Sequence, residues 1–345
     1  MENFENTELK NMENENIEPE NTNPAFESRL DMAELRENLE RVKAEIGKVI
    51  VGQEKMIEHL LAALLSNGHV IIEGVPGVAK TITAKLLAKT IAVDFSRIQF
   101  TPDLMPSDIL GTSIFNIKNS EFEFKKGPIF SNFVLIDEIN RSPAKTQAAL
   151  FEVMEERQIT MDGTEYKMNE PFLVVATQNP IEHEGTYRLP EAQLDRFLFK
   201  IEVGYPNLEQ EIQIIKNQHE SKLDDKTSEV HQVISATQLS QYQHLVKEIL
   251  VEPQLLDYIA KIIVNTRENQ FLYLGASPRA SLALLVASKA FAAIRGRDFV
   301  TPEDIKDSAF AVLRHRIMVS PEREMEGLTA DEIIRQILES IEIPR

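Results

Sequence analysis

The chain has 345 residues, of which 43% are hydrophobic, and this length and composition favour two domains with full apolar cores. It contains no cysteine, which excludes disulfide bonds, thiolate zinc sites and a cysteine nucleophile. The net charge is −18, half of it carried by residues 1–40, and this acidity argues against a broad surface for the phosphate backbone of nucleic acids.

The sequence shows no evident targeting signal. No apolar run reaches the roughly 18 residues that a transmembrane helix needs, and the first residues lack a basic stretch followed by an apolar one. We therefore expect no membrane insertion, no signal peptide and a cytoplasmic protein.

The chain begins with a segment rich in Asn and Glu. Residues 1–27 hold few large apolar side chains and are predicted to form a disordered acidic tail. Residues 28–49 carry apolar residues at helical spacing, which predicts an amphipathic helix. The backbone of the following turn, at Val51 and Gly52, could line an adenine pocket, although a Gly-Gln sequence also simply begins a helix.

The strongest motif is a glycine-containing loop between a predicted strand at 69–73 and a predicted helix at 82–89. The loop comprises Gly74, Val75, Pro76, Gly77, Val78, Ala79, Lys80 and Thr81. This context is typical of a phosphate-binding loop, because the backbone N–H groups of the loop and of the helix N-terminus favour an anion. Lys80 can reach the β- and γ-phosphates, and the hydroxyl of Thr81 can ligate Mg²⁺.

One position of this loop departs from the usual pattern. Ala79 stands where a glycine normally precedes the lysine. Because alanine avoids positive φ more strongly than glycine does, we expect Ala79 to adopt a helical or nearly helical conformation. Gly74 and Gly77 remain available for the tight turn.

Polar residues follow two further apolar strands. The strand predicted at 133–136 delivers Asp137 and Glu138 to its C-terminal end, where open parallel sheets bind their ligands. We expect Asp137 to hold Mg²⁺ through water, and Glu138 to orient or deprotonate an attacking water. After the strand predicted at 172–178, the amide of Asn179 could position that water, or it could belong to a simple turn before proline.

Two hairpins interrupt the predicted α/β pattern. Residues 101–131 are irregular except for alternating segments at 113–116 and 121–124, which predict a hairpin. Such an insertion is unusual as a mere connection, so the hairpin is either a contact loop or an ordinary surface hairpin. Asp162 and Gly163 predict the turn of a second hairpin.

A boundary is predicted at Tyr205 and Pro206, which divides an α/β domain at 28–205 from a smaller domain at 206–345. Helices are predicted in the second domain at 208–219, 236–249, 253–267, 278–295 and 302–315. Arg279 falls at a helix N-terminus, which is an unfavourable place for a cation. It therefore indicates a nearby anion, with a plain surface arginine as the alternative.

Together these motifs resemble those of AAA+ ATPases, and closely those of the MoxR family. The similar segments are GVPGVAKT at 74–81 (Walker A), LIDEINRSPAKTQAALFEVMEE at 135–156 (Walker B strand and following helix), ATQNP at 176–180 (first sensor), GTYRLPEAQLDRF at 185–197 (arginine-finger region) and GASPRA at 275–280 (second sensor). The resemblance runs from about residue 30 to the end, and the insert at 101–131 is similar to the helix-two insert of that group. It implies a P-loop AAA+ parallel-sheet domain of the α/β class followed by a smaller all-helical lid domain.

The resemblance also implies roles for individual residues. Asn179 would sense the γ-phosphate, Arg196 would enter the neighbouring subunit's site as an arginine finger, and Arg279 would report the phosphate state to the lid. Arg141, beside the Walker B helix, is a rival for the role in trans. A finger that acts in trans requires a closed ring, most commonly a hexamer.

A MoxR-like protein would hydrolyse ATP with Mg²⁺ to remodel, activate or mature a client protein, often one with a von Willebrand factor A domain. Two other classes remain open. A nucleic-acid-coupled motor is disfavoured by the net acidity, and a nucleotide-gated scaffold with little turnover is disfavoured by the intact Asp137–Glu138 pair. The motifs do not separate ATP from GTP.

Overall fold

The computed structural model describes residues 29–118, 120–180, 187, 189–220 and 226–344. The predicted acidic tail at 1–27 lies outside the described residues, as do positions 185, 186 and 188 of the segment similar to the arginine-finger region.

The bounds of the elements are as follows. The strands are β1 (His69–Gly74), β2 (Phe95–Gln99), β3 (Gly111–Asn116), β4 (Glu121–Lys126), β5 (Phe133–Asp137), β6 (Gln158–Met161), β7 (Thr164–Lys167), β8 (Leu173–Gln178), β9 (Phe197–Val203), β10 (Leu272–Leu274) and β11 (Met318–Val319). The α-helices are α1 (Ala33–Gly47), α2 (Glu54–Leu65), α3 (Lys80–Thr90), α4 (Pro106–Leu110), α5 (Ala144–Glu156), α6 (Glu191–Leu194), α7 (Leu208–Glu220), α8 (Ala236–Lys247), α9 (Pro253–Glu268), α10 (Pro278–Ile294), α11 (Pro302–Leu313), α12 (Pro321–Met325) and α13 (Ala330–Ser340).

Five strands form one parallel sheet in the order β2-β5-β8-β1-β9. The inner strands β5 and β8 are nearly continuous apolar runs because both faces of such a sheet are covered. Successive side chains alternate between the faces, so Val70 and Ile72 of β1 join one core while Ile71 joins the other. All five strands are parallel, so their carboxyl ends lie at one edge, and this edge carries the site described below.

The two predicted hairpins are both present. Strands β3 and β4 pair in antiparallel register, as do β6 and β7. The hairpins contact each other, because Phe124 of β4 packs on Tyr166 of β7 with ring centroids 4.5 Å apart. The outer end of the first hairpin exposes apolar side chains to solvent, namely Ile114, Phe115, Ile117 and Phe122.

The region after β9 is mainly helical, as predicted, and it contains two additions. Strands β10 and β11 form a two-stranded antiparallel sheet, and helices α12 and α13 follow the last helix that the spacing predicted. Helix α10 of this region packs against α1 and α2 as well as against its own neighbours, so one core runs from the first helices of the chain to the last. The predicted α/β P-loop fold with a helical C-terminal part is confirmed. In the described part of the chain no helix is both long and apolar enough to cross a bilayer.

Candidate nucleotide-binding site

The predicted phosphate loop connects β1 to α3. Gly74 ends the strand in close contact with β9, since a Cβ atom there would lie 2.6 Å from the carbonyl oxygen of Val203. Gly77 has φ +86° and no atom within 4 Å of the place where a Cβ would stand. The absence of a side chain therefore leaves the backbone open to an anion at this turn.

Ala79 is not helical, and the expectation from its sequence is wrong. Its φ of 62° and ψ of 17° place it in the left-handed region immediately before α3. Its carbonyl oxygen accepts hydrogen bonds from the backbone N–H of Thr83 at 3.0 Å and from the Thr83 hydroxyl at 2.8 Å. The first turn of α3 thus holds the alanine in a conformation that costs about 1–2 kcal/mol for an L-residue.

Lys80 and Thr81 begin α3 and face the carboxyl ends of the neighbouring strands. The Lys80 ammonium donates to the carbonyl oxygens of Gly74 and, at 3.3 Å, of Gln178. The Thr81 hydroxyl donates to Asp137 Oδ1 at 3.0 Å. A hydroxyl and a carboxylate in contact are hard oxygen ligands of the kind that Mg²⁺ takes together with phosphate oxygens, so the residues present fit the ion.

Asp137 ends β5 and Glu138 follows it, so both lie at the carboxyl end of the strand as predicted. Asp137 is buried, and its Oδ1 also accepts a hydrogen bond from the Thr177 hydroxyl at 3.1 Å. Glu138 has φ 58°, and its backbone N–H donates to Thr177 Oγ1 at 3.1 Å. This turn separates the two carboxylates, so that Glu138 Oε2 accepts from Gln99 at 2.7 Å.

One cavity of about 670 Å³ brings these residues together. It is lined by Pro76, Gly77, Ala79, Lys80, Thr81, Asp137, Glu138 and Asn179, together with Arg97, Gln99 and Thr177. One cavity therefore holds the loop, both carboxylates and the amide. The sequence had placed these groups after three separate strands. Its volume is in the range of sites for small molecules.

The sequence matches two known families. Residues 69–199 match the ATPase family associated with various cellular activities (AAA), and residues 264–337 match the AAA lid domain. Chaperone MoxR1 of Mycobacterium tuberculosis is 44% identical over 316 residues, which cover 89% of this chain and 82% of that protein. The chain belongs to the MoxR family of AAA+ ATPases.

More distant and structural comparisons agree with this membership. Protein MoxR of Methylorubrum extorquens is 27% identical over 339 residues, covering 91% of this chain and 97% of that one. A crystal structure of a protein from Cytophaga hutchinsonii has a TM-score of 0.84 and 43% identity, and it covers 91% of this chain and 97% of its own.

Two predicted groups of residues outside the loop do not line the cavity of this MoxR-family chain, and within the loop Gly74, Val75 and Val78 are likewise absent from its wall. Val51 and Gly52 are absent from its wall, and Gly52 instead lies against the side chain of Gln210 in α7. Their contact with an adenine base stays a prediction.

Arg196 and Arg279 form the second group. Arg196 Nε lies 3.4 Å from Glu155 Oε2, and Arg279 pairs with Glu155 Oε1. The hydroxyl of Ser277, just before α10, donates to Asp195 Oδ2 at 3.0 Å. This contact fixes the N-terminus of α10 against the segment that carries Arg196, so the two arginines lie together and neither lines the phosphate-loop cavity.

Sequence reasoning missed four residues of this arrangement, namely Arg97, Gln99, Thr177 and Glu155. Arg97 and Gln99 alternate along β2, so the period of a strand could have placed them on one face, beside Leu135 and Asp137 in register. Glu155 carried no such signal, because its partner Arg279 lies 124 residues away in the sequence.

Proposed function

We propose that the protein hydrolyses ATP, with Mg²⁺, in a ring assembly and uses the energy to remodel, activate or mature a partner protein. The observation that carries the proposal is the single cavity in which Lys80, Thr81, Asp137, Glu138 and Asn179 meet. Family membership supports an ATPase, and the name of Chaperone MoxR1 describes a relative that covers most of this chain.

Each residue has a chemical task in this proposal. The loop N–H groups and Lys80 bind the phosphates, and Thr81 and Asp137 would hold Mg²⁺, which when bound neutralises charge on the transferring phosphoryl group. Glu138 accepts a proton from the attacking water or orients it. Asn179 lies on the same cavity wall and contacts the water or the γ-phosphate through its amide.

A neighbouring subunit completes the site. Hydrolysis of this kind is accelerated by an arginine directed at the phosphates, and fingers contribute 10³–10⁵ in rate where they are measured in GTPases. Arg196 points to this role because it lies with Arg279 at Glu155, outside the cavity of its own chain. Arg141 is the weaker candidate, since its Nε lies 3.3 Å from Glu138 of the same chain.

The client would contact the first hairpin. Phe115 and Phe122 stack edge to face at 5.2 Å and are 50% and 73% exposed, so an apolar surface projects from the domain. A patch of this kind is typical of a protein interaction site. We propose a protein client, with a von Willebrand factor A domain protein as the class that the family suggests.

The test compares the wild-type protein with Glu138→Gln. The variant should bind ATP with unchanged affinity and lose at least 100-fold in turnover, because the amide cannot take the proton from water. Equal turnover of the two proteins would remove the assigned role of Glu138. Equally low turnover would favour a scaffold with little catalysis. Stimulation of the wild type by DNA would favour a nucleic-acid-coupled motor instead.

The same variant serves to identify the client. Because it binds ATP without hydrolysing it, it should hold the assembly with its client during affinity purification. Lys80→Ala, which removes the phosphate-binding cation, is the matched control and should retain neither nucleotide nor client.

A further inference from the structure

Strand β2 contributes a cation to the candidate site. Arg97 and Gln99 stand two positions apart on β2, so both side chains project from the same face of the strand, into the cavity. Arg97 Nε lies 2.7 Å from Asp137 Oδ2, while the Arg97 side chain is 55% exposed and that of Asp137 only 6%. The guanidinium therefore enters from the open side of the cavity and covers a buried carboxylate.

Both oxygens of Asp137 are engaged in this arrangement. Oδ1 accepts from the hydroxyls of Thr81 and Thr177 at 3.0 and 3.1 Å, and Oδ2 accepts from Arg97. Oδ2 carries the ion pair with Arg97, so the guanidinium has to leave this oxygen before it can serve a metal ion or a metal-bound water. The half-exposed side chain has room for such a movement.

We propose that Arg97 is a positioning residue that competes with the metal for Asp137. Without the metal it balances the buried charge of Asp137, and with the metal it swings away from Asp137 toward solvent. The inference rests on the proposed function, since it assigns a task within the same site. It makes the protein's preference for metal-bound over metal-free nucleotide depend on a residue outside the Walker motifs.

The competition predicts opposite effects on two binding constants. In Arg97→Met, Asp137 is free, so binding of ATP with Mg²⁺ should become tighter by roughly 5-fold, as loss of a competing half-exposed ion pair allows. Metal-free ATP should bind more weakly, because the charge of Asp137 is then unbalanced in the cavity that receives the phosphates. The ratio of the two affinities should therefore rise, which a merely structural residue would not cause.

The experiment titrates a fluorescent ATP analogue into the full-length protein, once with excess Mg²⁺ and once with EDTA. The variants are Arg97→Met, Arg97→Lys and Arg335→Met. Arg97→Lys keeps the charge without the guanidinium and should give an intermediate ratio. Arg335 lies on the exposed side of α13, so its variant removes the same charge at a distance and should keep the wild-type ratio.

The outcomes distinguish failure of the inference about Arg97 from failure of the proposed function. An unchanged ratio in Arg97→Met, with binding by the wild type intact, overturns the inference alone. An equal rise in Arg335→Met also overturns it, because overall charge then accounts for the effect. If the wild type binds the analogue neither with Mg²⁺ nor with EDTA, the proposed function is overturned together with the inference.

Discussion

Ala79 shows how a single residue can carry strain within a binding loop. Its left-handed conformation costs about 1–2 kcal/mol for alanine. Glycine would remove that cost, but it would lose about 0.5–1 kcal/mol more conformational entropy on folding. We expect Ala79→Gly to raise the free energy of unfolding by about 0.5–1 kcal/mol, measured by urea titration, with nucleotide affinity unchanged.

A β-branched residue provides the opposite test at this position. Ala79→Val should be less stable than the wild type, because valine tolerates the left-handed region worse than alanine does. If Ala79→Gly were the less stable variant instead, the position would not be strained in solution.

The residues of the site differ in how far the sequence reveals them. Lys80, Asp137 and Asn179 each follow an apolar run, and a parallel sheet brings such positions to one edge, so their meeting could be predicted. The conformation of Ala79 could not, because the propensity of alanine argued against it. Contacts between side chains from distant segments, such as Arg279 with Glu155, leave no local pattern at all.

At the scale of elements, the side chain of His69 in β1 forms hydrogen bonds to β8 and α5. Its Nδ1 accepts from the backbone N–H of Val174 in β8 at 3.0 Å, and its Nε2 donates to the carbonyl oxygen of Met154 in α5 at 3.1 Å. Burial lowers the pKa of His69 to about 3, with the nearby Arg157 cation adding to the effect. The folded protein therefore holds this ring neutral at pH values where the unfolded chain would be protonated.

The sign of the resulting pH dependence follows from proton binding. Below about pH 6.5 the unfolded chain binds a proton at His69 that the folded protein refuses, so the free energy of unfolding falls as the pH falls from 6.5 toward 3. At pH 5 this amounts to about 2 kcal/mol relative to pH 8. His69→Gln should have a lower free energy of unfolding than the wild type at pH 8. Between pH 8 and pH 5, its free energy of unfolding should fall by about 2 kcal/mol less than that of the wild type.

Urea titrations of both proteins at pH 8 and pH 5 measure this difference. The exposed His244 in α8 offers the matched control, and His244→Gln should retain the wild-type loss. If the free energy of unfolding fell equally in the wild type and in His69→Gln, the ring would take up its proton without opening the contacts between β1, β8 and α5.

At the scale of the whole molecule, helix α1 and the helices after β9 share one core. The Asn38 amide of α1 donates to the Tyr242 hydroxyl of α8 at 2.7 Å, and that hydroxyl donates to Glu34 at 3.0 Å. The spacing of apolar residues predicted each of these helices, but it could not predict that they meet, since the partners lie about 200 residues apart. The N-terminus of α10, and with it Arg279, lies beside the segment that carries Arg196.

The separation of Arg196 from the cavity of its own chain leads to a prediction about mixed assemblies. Lys80→Ala protein lacks phosphate binding but keeps its arginines, and Arg196→Ala protein lacks the arginine but keeps its phosphate site. Each alone should be nearly inactive. In a random equimolar mixture, roughly a quarter of the interfaces pair an intact phosphate site with an intact Arg196, so ATPase activity should recover to about that fraction.

Two other mixtures decide how this recovery is interpreted. Lys80→Ala mixed with Glu138→Gln should recover nothing, because both changes damage a subunit's own site. Lys80→Ala mixed with Arg141→Ala should also stay inactive, since Arg141 contacts Glu138 within one chain. Recovery with Arg141→Ala but not with Arg196→Ala would transfer the role in trans to Arg141, and inactivity of every mixture would require that each subunit hydrolyse ATP with its own residues alone.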